Sequence, residues 1–411
     1  MDAFDGRWRS VAARGRCGRH LHPHLRGRGG PSGTGARESG VTSGNNATPG
    51  EGPGLLFYRA LVTGGSGFVG SAVARCVAAE GIPVRVLDPT LPSHRVPGVD
   101  YRQGSVLEPS DLRAALEDVD LVFHLAANPN LWAPRSADFM TLNLEGTRRV
   151  LAGAHAAGVQ RLVHTSTESV LKAPRVGRHA SGAPTADSRS KPEPHAKTGA
   201  QPEPRPIDER VDNRLEDMPG PYCRSKYLAE AAARDAAFEG LPVVIVNPTL
   251  PIGPGDTRMT PPTRMLRDFL NGRHPAYLEF CMNMADVRDV ARGHWLAALH
   301  GEIGERYILG GHNLTMSHLL EVLRGLTGRP MPTRQIPYSL ALGVAHVSEW
   351  WAALTGKPPE ATVTGVRIAG SPMRFDNTKA RQDLGFTVRP LEDSLTDAIA
   401  WFAENGHLRD V

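Results

Sequence analysis

The sequence predicts an α/β protein: a Rossmann-type, doubly wound parallel sheet with a smaller, mainly α C-terminal substrate lobe. Two observations predict it. From about residue 57, short apolar runs alternate with helical patterns, as βαβ units around a buried parallel sheet do. A glycine triplet, Gly64-x-x-Gly67-x-x-Gly70, stands between the first such run and the first helical pattern. A tight turn, a close backbone approach and a close helix–strand contact each favour glycine there.

Residues 1–55 are rich in Gly, Ser, Pro and Arg and lack periodic apolar positions, so they are expected to be a disordered tail. The first fifty residues hold eight arginines and no lysine. The basic balance of the chain is concentrated there and says little about the partner of the folded part. His20, His22 and His24 lie in the same stretch, where a flexible backbone does not fix a metal. No apolar core follows the arginines, so no cleavable leader is expected. Strands are expected at 59–63, 84–88, 121–127, 161–166 and 242–247, with helices at 68–80, 110–118, 138–158 and 222–240. Residues 172–206, rich in Pro, Ala and charge, read as a flexible surface insertion.

These elements outline a dinucleotide-binding domain over 56–250. Residues 251–411 follow as a substrate lobe, with chain segments returning to the first domain. Helices are expected there at about 261–271, 286–300, 316–327, 338–354 and 391–405. The segment SLALGVAHVSEWWAAL, 339–354, reads as a buried lobe helix in preference to a membrane contact. No apolar run nears the ~18 residues of a membrane span. The cysteines Cys17, Cys76, Cys223 and Cys281 form no CxxC pair. A reducing, cytoplasmic setting without disulfides or zinc is expected.

The glycine loop and the helix N-terminus beyond it, from Phe68 and Val69, suit a pyrophosphate. Asp88 ends the second strand 18 residues after Gly70. A carboxylate there accepts from the adenosine ribose hydroxyls and repels a 2′-phosphate, which favours NAD over NADP. Tyr222 and Lys226, four apart, share one helix face. Alone, that pair is an ordinary exposed face.

The glycine spacing followed by Tyr-x-x-x-Lys resembles the extended short-chain dehydrogenase/reductase family, from about residue 57 to the C-terminus. Leu125-Ala126-Ala127-Asn128 match its cofactor-lining loop, NLEGTRRVL carries Asn143, and HTSTESV (164–170) matches the strand end with the active-site Ser/Thr. The resemblance implies catalytic Thr167, with Ser166 as runner-up, beside Tyr222 and Lys226. It implies NAD contacts from Thr165, Asn247, Pro248 and Thr249. LWA (131–133), YCRSKYLAE and LPVVIVNPTLPIGP look like the hopanoid-associated sugar epimerase group, beside the dihydroflavonol-4-reductase-like enzymes.

For Tyr222 to act as a base, its pKa must fall from ~10 by about 3 units, or roughly 4 kcal/mol. One ammonium at about 4 Å, at an effective dielectric near 20, supplies about that much. Lys226 is expected in that role and as holder of the nicotinamide ribose. Thr167 would bond the substrate oxygen while Tyr222 moves the hydroxyl proton. Cys223 points elsewhere on the helix. For Arg258, Arg264 and Arg273, gripping a diphosphate or carboxylate and plain solvation weigh equally.

Three activities fit: a sugar epimerase or related oxidoreductase, placed first; a one-way dihydroflavonol- or hydroxysteroid-type reductase; and a non-catalytic dinucleotide sensor. A 4,6-dehydratase would carry Asp-Glu after the active-site Thr, where this chain has Glu168 and Ser169. The expected partner is a small-molecule substrate, without nucleic acid or stable membrane insertion. A homodimer is left open.

Overall fold

The apolar runs become strands of one seven-stranded parallel sheet in a computed structural model that describes residues 57–171 and 205–409. The expected tail with its histidines, and the insertion up to residue 204, lie outside the described residues. The elements of the first half are β1 Ala60–Thr63, α1 Phe68–Ala79, β2 Val84–Asp88, β3 Asp100–Gln103, α2 Pro109–Leu116, β4 Leu121–His124, α3 Ala137–Phe139, a π-helical segment Met140–Glu145, α4 Gly146–Ala157, β5 Arg161–Thr165, α5 Pro221–Phe238 and β6 Val243–Pro248. Those that follow are β7 Leu250–Ile252, α6 Pro261–Leu270, β8 Ala276–Leu278, β9 Cys281–Asp286, α7 Val287–His300, β10 Arg306–Leu309, β11 His312–Thr315, α8 Met316–Thr327, β12 Arg334–Ile336, α9 Tyr338–Thr355, α10 Val363–Ala369, α11 Thr378–Leu384 and α12 Leu391–Glu404.

The strand order is β10-β6-β5-β4-β1-β2-β3. Its direction reverses between β1 and β4, which opens a crevice at the carboxyl ends of those strands. Alternate residues of β1 explain its unbroken apolar run. Ala60 and Val62 pack with Val73 and Val77 of α1 and Trp295 of α7. Leu61 packs on the other face with Leu112, Leu116 and Val150. A strand covered on both faces has no polar side to show.

Four features depart from the sequence expectation. β3, DYRQ, is an edge strand with mostly exposed residues, so it carries no apolar pattern. The C-terminal half returns the short strand β10 to the main sheet, and its departure is that it holds strands among the expected helices. It also forms a three-stranded sheet, β11-β9-β7, and a two-stranded one, β12-β8. The helix expected over 138–158 is interrupted by a π segment. There the carboxamide of Asn143 accepts from Asn128 N at 2.7 Å and donates to Ser225 Oγ at 2.9 Å, and a widened turn is common at such sites.

The fourth departure is α9, which is not a buried helix. Leu340, Val344, Val347, Trp350, Trp351 and Leu354 are each more than half exposed, at 54%, 51%, 66%, 62%, 60% and 64%. Only Ala341, Ala345 and Ala352 are buried. α9 packs through these small side chains, and the seven-residue α10 beside it is too short to cover eighteen residues.

Glycine is required where α1 meets β1. A Cβ on Gly70 would lie 2.2 Å from Gly64 O, whereas one on Gly343 of α9 would meet nothing within 4 Å. Gly70→Ala should therefore destabilise by about 1–3 kcal/mol. Gly343→Ala should stabilise by about 0.5–1 kcal/mol through helix propensity. Denaturant melts of the two variants check the opposite signs.

Candidate active site

The glycine loop closes against the neighbouring strand. Gly64 has φ +72°, and a Cβ there would sit 2.8 Å from Ala126 Cα. Leu125 N donates to Thr63 O at 3.1 Å and Ala126 N to Thr63 Oγ1 at 3.3 Å. These bonds hold the Leu125-Ala126-Ala127 loop along the crevice. Gly67 precedes the first residue of α1, with Phe68 buried and Val69 packed on the core. Three hydroxyls at the carboxyl edge, Ser66 Oγ, Ser166 Oγ and Thr249 Oγ1, are buried without a partner among the described residues. Buried polar atoms normally find partners. Uncommitted hydroxyls, one of them within the glycine loop, fit an edge built to receive a polar ligand such as a dinucleotide.

Asp88, buried at the end of β2, accepts from Ser66 N at 3.2 Å and Thr90 N at 3.0 Å. It also receives Arg258 Nη2 at 3.2 Å, from 170 residues further along. Arg258 thus faces the second strand. Arg273 is engaged by Asp268 at 3.2 Å. Arg264 is exposed and reaches only Met259 O.

Tyr222 and Lys226 lie in the first turns of α5. Pro221 fits the first helical position. Tyr222 stacks edge-on with Phe139, with ring centroids 6.2 Å apart. Cys223 is buried in an apolar cluster with Val170, Leu171 and Met218, against which the Tyr222 side chain packs. Lys226 Nζ donates to Thr165 O at 2.6 Å. Burial lowers its pKa to about 8, partly offset by Glu230. His124 and His164 lie in the same buried layer, and burial followed by Lys226 lowers both, His124 to about 3.

The expected electrostatics of Tyr222 are not what the structure shows. Its pKa is raised, first by burial and then by the charge of Glu168, with a hydrogen bond to Thr167 acting the other way. The ammonium of Lys226 is committed to the Thr165 carbonyl. Thr167 Oγ1 donates to Glu168 Oε2 at 2.9 Å. Burial raises Glu168 to about 7 against the Thr167 bond. The sequence reading noted Glu168 only as one half of a missing acid pair. Its place in the Tyr222–Thr167 network had no pattern to announce it.

Asn247 is fully buried. Its amide donates to Thr167 O at 3.1 Å and to Glu230 Oε2 at 2.9 Å. Glu230 in turn meets Arg234 at 2.9 Å and Arg306 at 3.0 Å. Arg306 reaches back to Glu209 O at 2.9 Å and to Val211 O. This bracket fixes α5, β6 and β10 to the strand end that carries Thr167. Pro248 pairs with Leu309 of β10.

A crevice with a glycine turn at one end and a Thr/Tyr/Lys group at the other defines a dinucleotide-dependent enzyme of the short-chain dehydrogenase class. The NAD dependent epimerase/dehydratase family model matches residues 60–310. The chain belongs to that family, as an NAD-dependent enzyme of the extended short-chain type. A Synechocystis sp. protein named after dihydroflavonol 4-reductase is 34% identical over 357 residues, 85% of this chain and 96% of its own length. Sterol demethylase protein B of Methylococcus capsulatus is 29% identical over 351 residues, 84% of this chain and 98% of its own. The crystal structure of gox2253 superposes with TM-score 0.68 at 34% identity, covering 86% of this chain and all of that one.

Asp88 should make NAD bind at least ~10-fold more tightly than NADP. Calorimetric titration with both cofactors checks it, and Asp88→Asn should narrow the gap. An NADP preference in the unaltered protein would show that Arg258 has adapted the pocket to a phosphorylated ribose.

Proposed function

We propose that this protein is an NAD-dependent carbonyl reductase of an apolar ketone, with Tyr222 as the proton donor. The carrying observation is the chain Tyr222–Thr167–Glu168. Tyr222 hydrogen-bonds Thr167, and Thr167 lies 2.9 Å from a Glu168 carboxyl group whose pKa is raised to about 7. In reduction a protonated Tyr222 would deliver its proton to the forming alkoxide, and the same phenol would act as base in the oxidising direction. Placing the reductase before the epimerase, which the sequence put first, rests on the engaged arginines and on the apolar cluster beside Tyr222.

A reduced nicotinamide bound in the crevice would supply the hydride for the ketone carbon. Gly64, Gly67 and the start of α1 would hold the pyrophosphate, Asp88 the adenosine ribose, and Lys226 the nicotinamide ribose. Thr167 would orient the substrate oxygen. Tyr222 gives its proton to the oxygen as the carbon–hydrogen bond forms, and the product is the secondary alcohol. Glu168, protonated below about pH 7, returns a proton to Tyr222 through the Thr167 hydroxyl.

Two observations support an apolar substrate over a nucleotide sugar. Two of the three arginines weighed for a diphosphate are engaged by Asp88 and Asp268. Tyr222 stacks on Phe139 and packs against the apolar cluster that holds Val170. The names of the two relatives, dihydroflavonol 4-reductase and sterol demethylase protein B, point the same way.

Tyr222→Phe should lower ketone reduction by at least ~100-fold while leaving NAD binding nearly unchanged. Lys226→Met should damage both. Near-normal turnover by Tyr222→Phe on a substrate of the parent enzyme would end the assignment. The pH dependence follows from Glu168. Its folded pKa, about 7, lies above the ordinary 4.5, so the native state keeps a proton that the unfolded chain loses between those values. Its stabilising effect is complete below 4.5 and is lost as pH rises through 7. Reduction should decline over the same upper limit. Glu168→Gln should flatten that step in the kcat/KM profile and spare cofactor affinity.

A further inference from the structure

The exposed face of α9 has no role in the chemistry above. Leu340, Val344, Val347, Trp351 and Leu354 follow one another at spacings of four and three, which sets them in one line along the helix. Trp350 widens the line at its C-terminal end. All six are more than half exposed. Contiguous apolar surface of this kind marks an interaction site.

Charge identifies the partner. Between Arg334 and Lys357 the single acidic residue is Glu349, and its Oε1 is turned inward to accept from Val363 N at 2.8 Å. Arg334 and Lys357 are both exposed and bracket the helix. The next acid, Glu360, lies on the turn whose backbone folds against Ser348 Oγ. A second copy of α9 would set cations against cations in either orientation, parallel or antiparallel. An anionic lipid surface complements the flanking cations, accepts the aliphatic line, and suits tryptophan at the headgroup boundary.

We propose that α9 is a docking element for an anionic membrane surface, lying in the interface without crossing it. No helix among the described residues is long and apolar enough to cross. The docking stands on α9 alone. Its consequence for catalysis rests on the function proposed above. α10, which packs on α9, meets the start of α5: a Cβ on Gly220 would lie 2.3 Å from Thr364 Oγ1, and Arg367 Nη1 reaches Pro219 O at 3.5 Å. The docked helix would therefore sit at the rim of the Tyr222 site, where an apolar ketone could enter from the lipid.

The test uses the full-length chain with vesicles of phosphatidylcholine, alone and mixed with phosphatidylglycerol. The unaltered protein should co-sediment with the mixed vesicles, and brominated acyl chains should quench its tryptophan fluorescence. A Trp350→Ser/Trp351→Ser/Leu354→Ser variant should lose at least ~10-fold in partitioning, since binding scales with buried apolar area, and should lose the quenching. Retained NAD binding would show that it is folded. Val344→Ser/Val347→Ser, one turn away, should repeat the loss if the triple variant misfolds. Equal sedimentation of folded variants and parent overturns the proposal, because any binding would then come from another basic segment such as the N-terminal tail. Self-association of the parent that the variants abolish, with vesicle binding unchanged, overturns it in favour of a second copy. Either result leaves the reductase assay to stand or fall separately.

Discussion

The site depends on a buried carboxylate that takes no part in the reaction. Glu230 lies two turns along α5 from Tyr222 and is almost wholly buried. One oxygen meets Arg306 and Arg234, and the other meets Asn247. Through Asn247 it reaches the backbone of Thr167. Through Arg306 it holds the chain where it re-enters at residues 209–211. Breaking such a buried pair by removing one partner costs about 3–5 kcal/mol, because the remaining charge is stranded. The spacing between Tyr222 and Thr167 is thus set by an ion-pair cluster outside the crevice. A helix face alone would not hold the two side chains in register with the strand end.

The same burial governs the proton chemistry. Lys226 is an ammonium in a desolvated layer, bonded to a carbonyl and next to two imidazoles that stay neutral there. Its positive field makes protonation of His124 and His164 unfavourable. Tyr222 is subject to the opposite influence from Glu168. The two sides of the site therefore differ in sign: cationic toward the sheet and potentially anionic toward the 168–170 turn. A proton donor at the boundary, the role proposed for Tyr222, would be poised by that difference, with Glu168 setting the pH range in which it operates.

The fold was legible because its signals are local and redundant. β1, β2, β4, β5 and β6 are buried along most of their length, so each shows as a short apolar run, broken in β2 by Arg85 and in β5 by His164. Gly64 and Gly70 mark a contact that no Cβ can enter. β3 could not be read in this way, since an exposed edge strand needs no apolar residue. The three-residue strands β7, β8 and β12 are shorter than any period that could mark them. Among site residues, Tyr222, Lys226 and Thr167 could be found by spacing and resemblance. The partners of Asp88 and Tyr222 could not. Arg258 is 170 residues from Asp88, and Glu168 acts through a hydroxyl. α9 was misjudged because composition reports how apolar a helix is, whereas its neighbours determine whether that surface is covered.

The π segment at Met140–Glu145 has a consequence for how this chain can vary. A π turn accommodates one residue more than an α turn. The helix before it and the helix after it are therefore out of phase by about 100°, one residue's rotation. Phe139, which stacks on Tyr222, lies on one side of the discontinuity. Thr147, whose hydroxyl meets His124, lies on the other. Loss of a single residue within the segment would restore an ordinary helix with both flanking contacts in place, and would remove the widened turn that carries Asn143. The extra residue thus serves Asn143, which is buried and tied to both Asn128 and Ser225, and a substitution there would leave buried polar groups without partners.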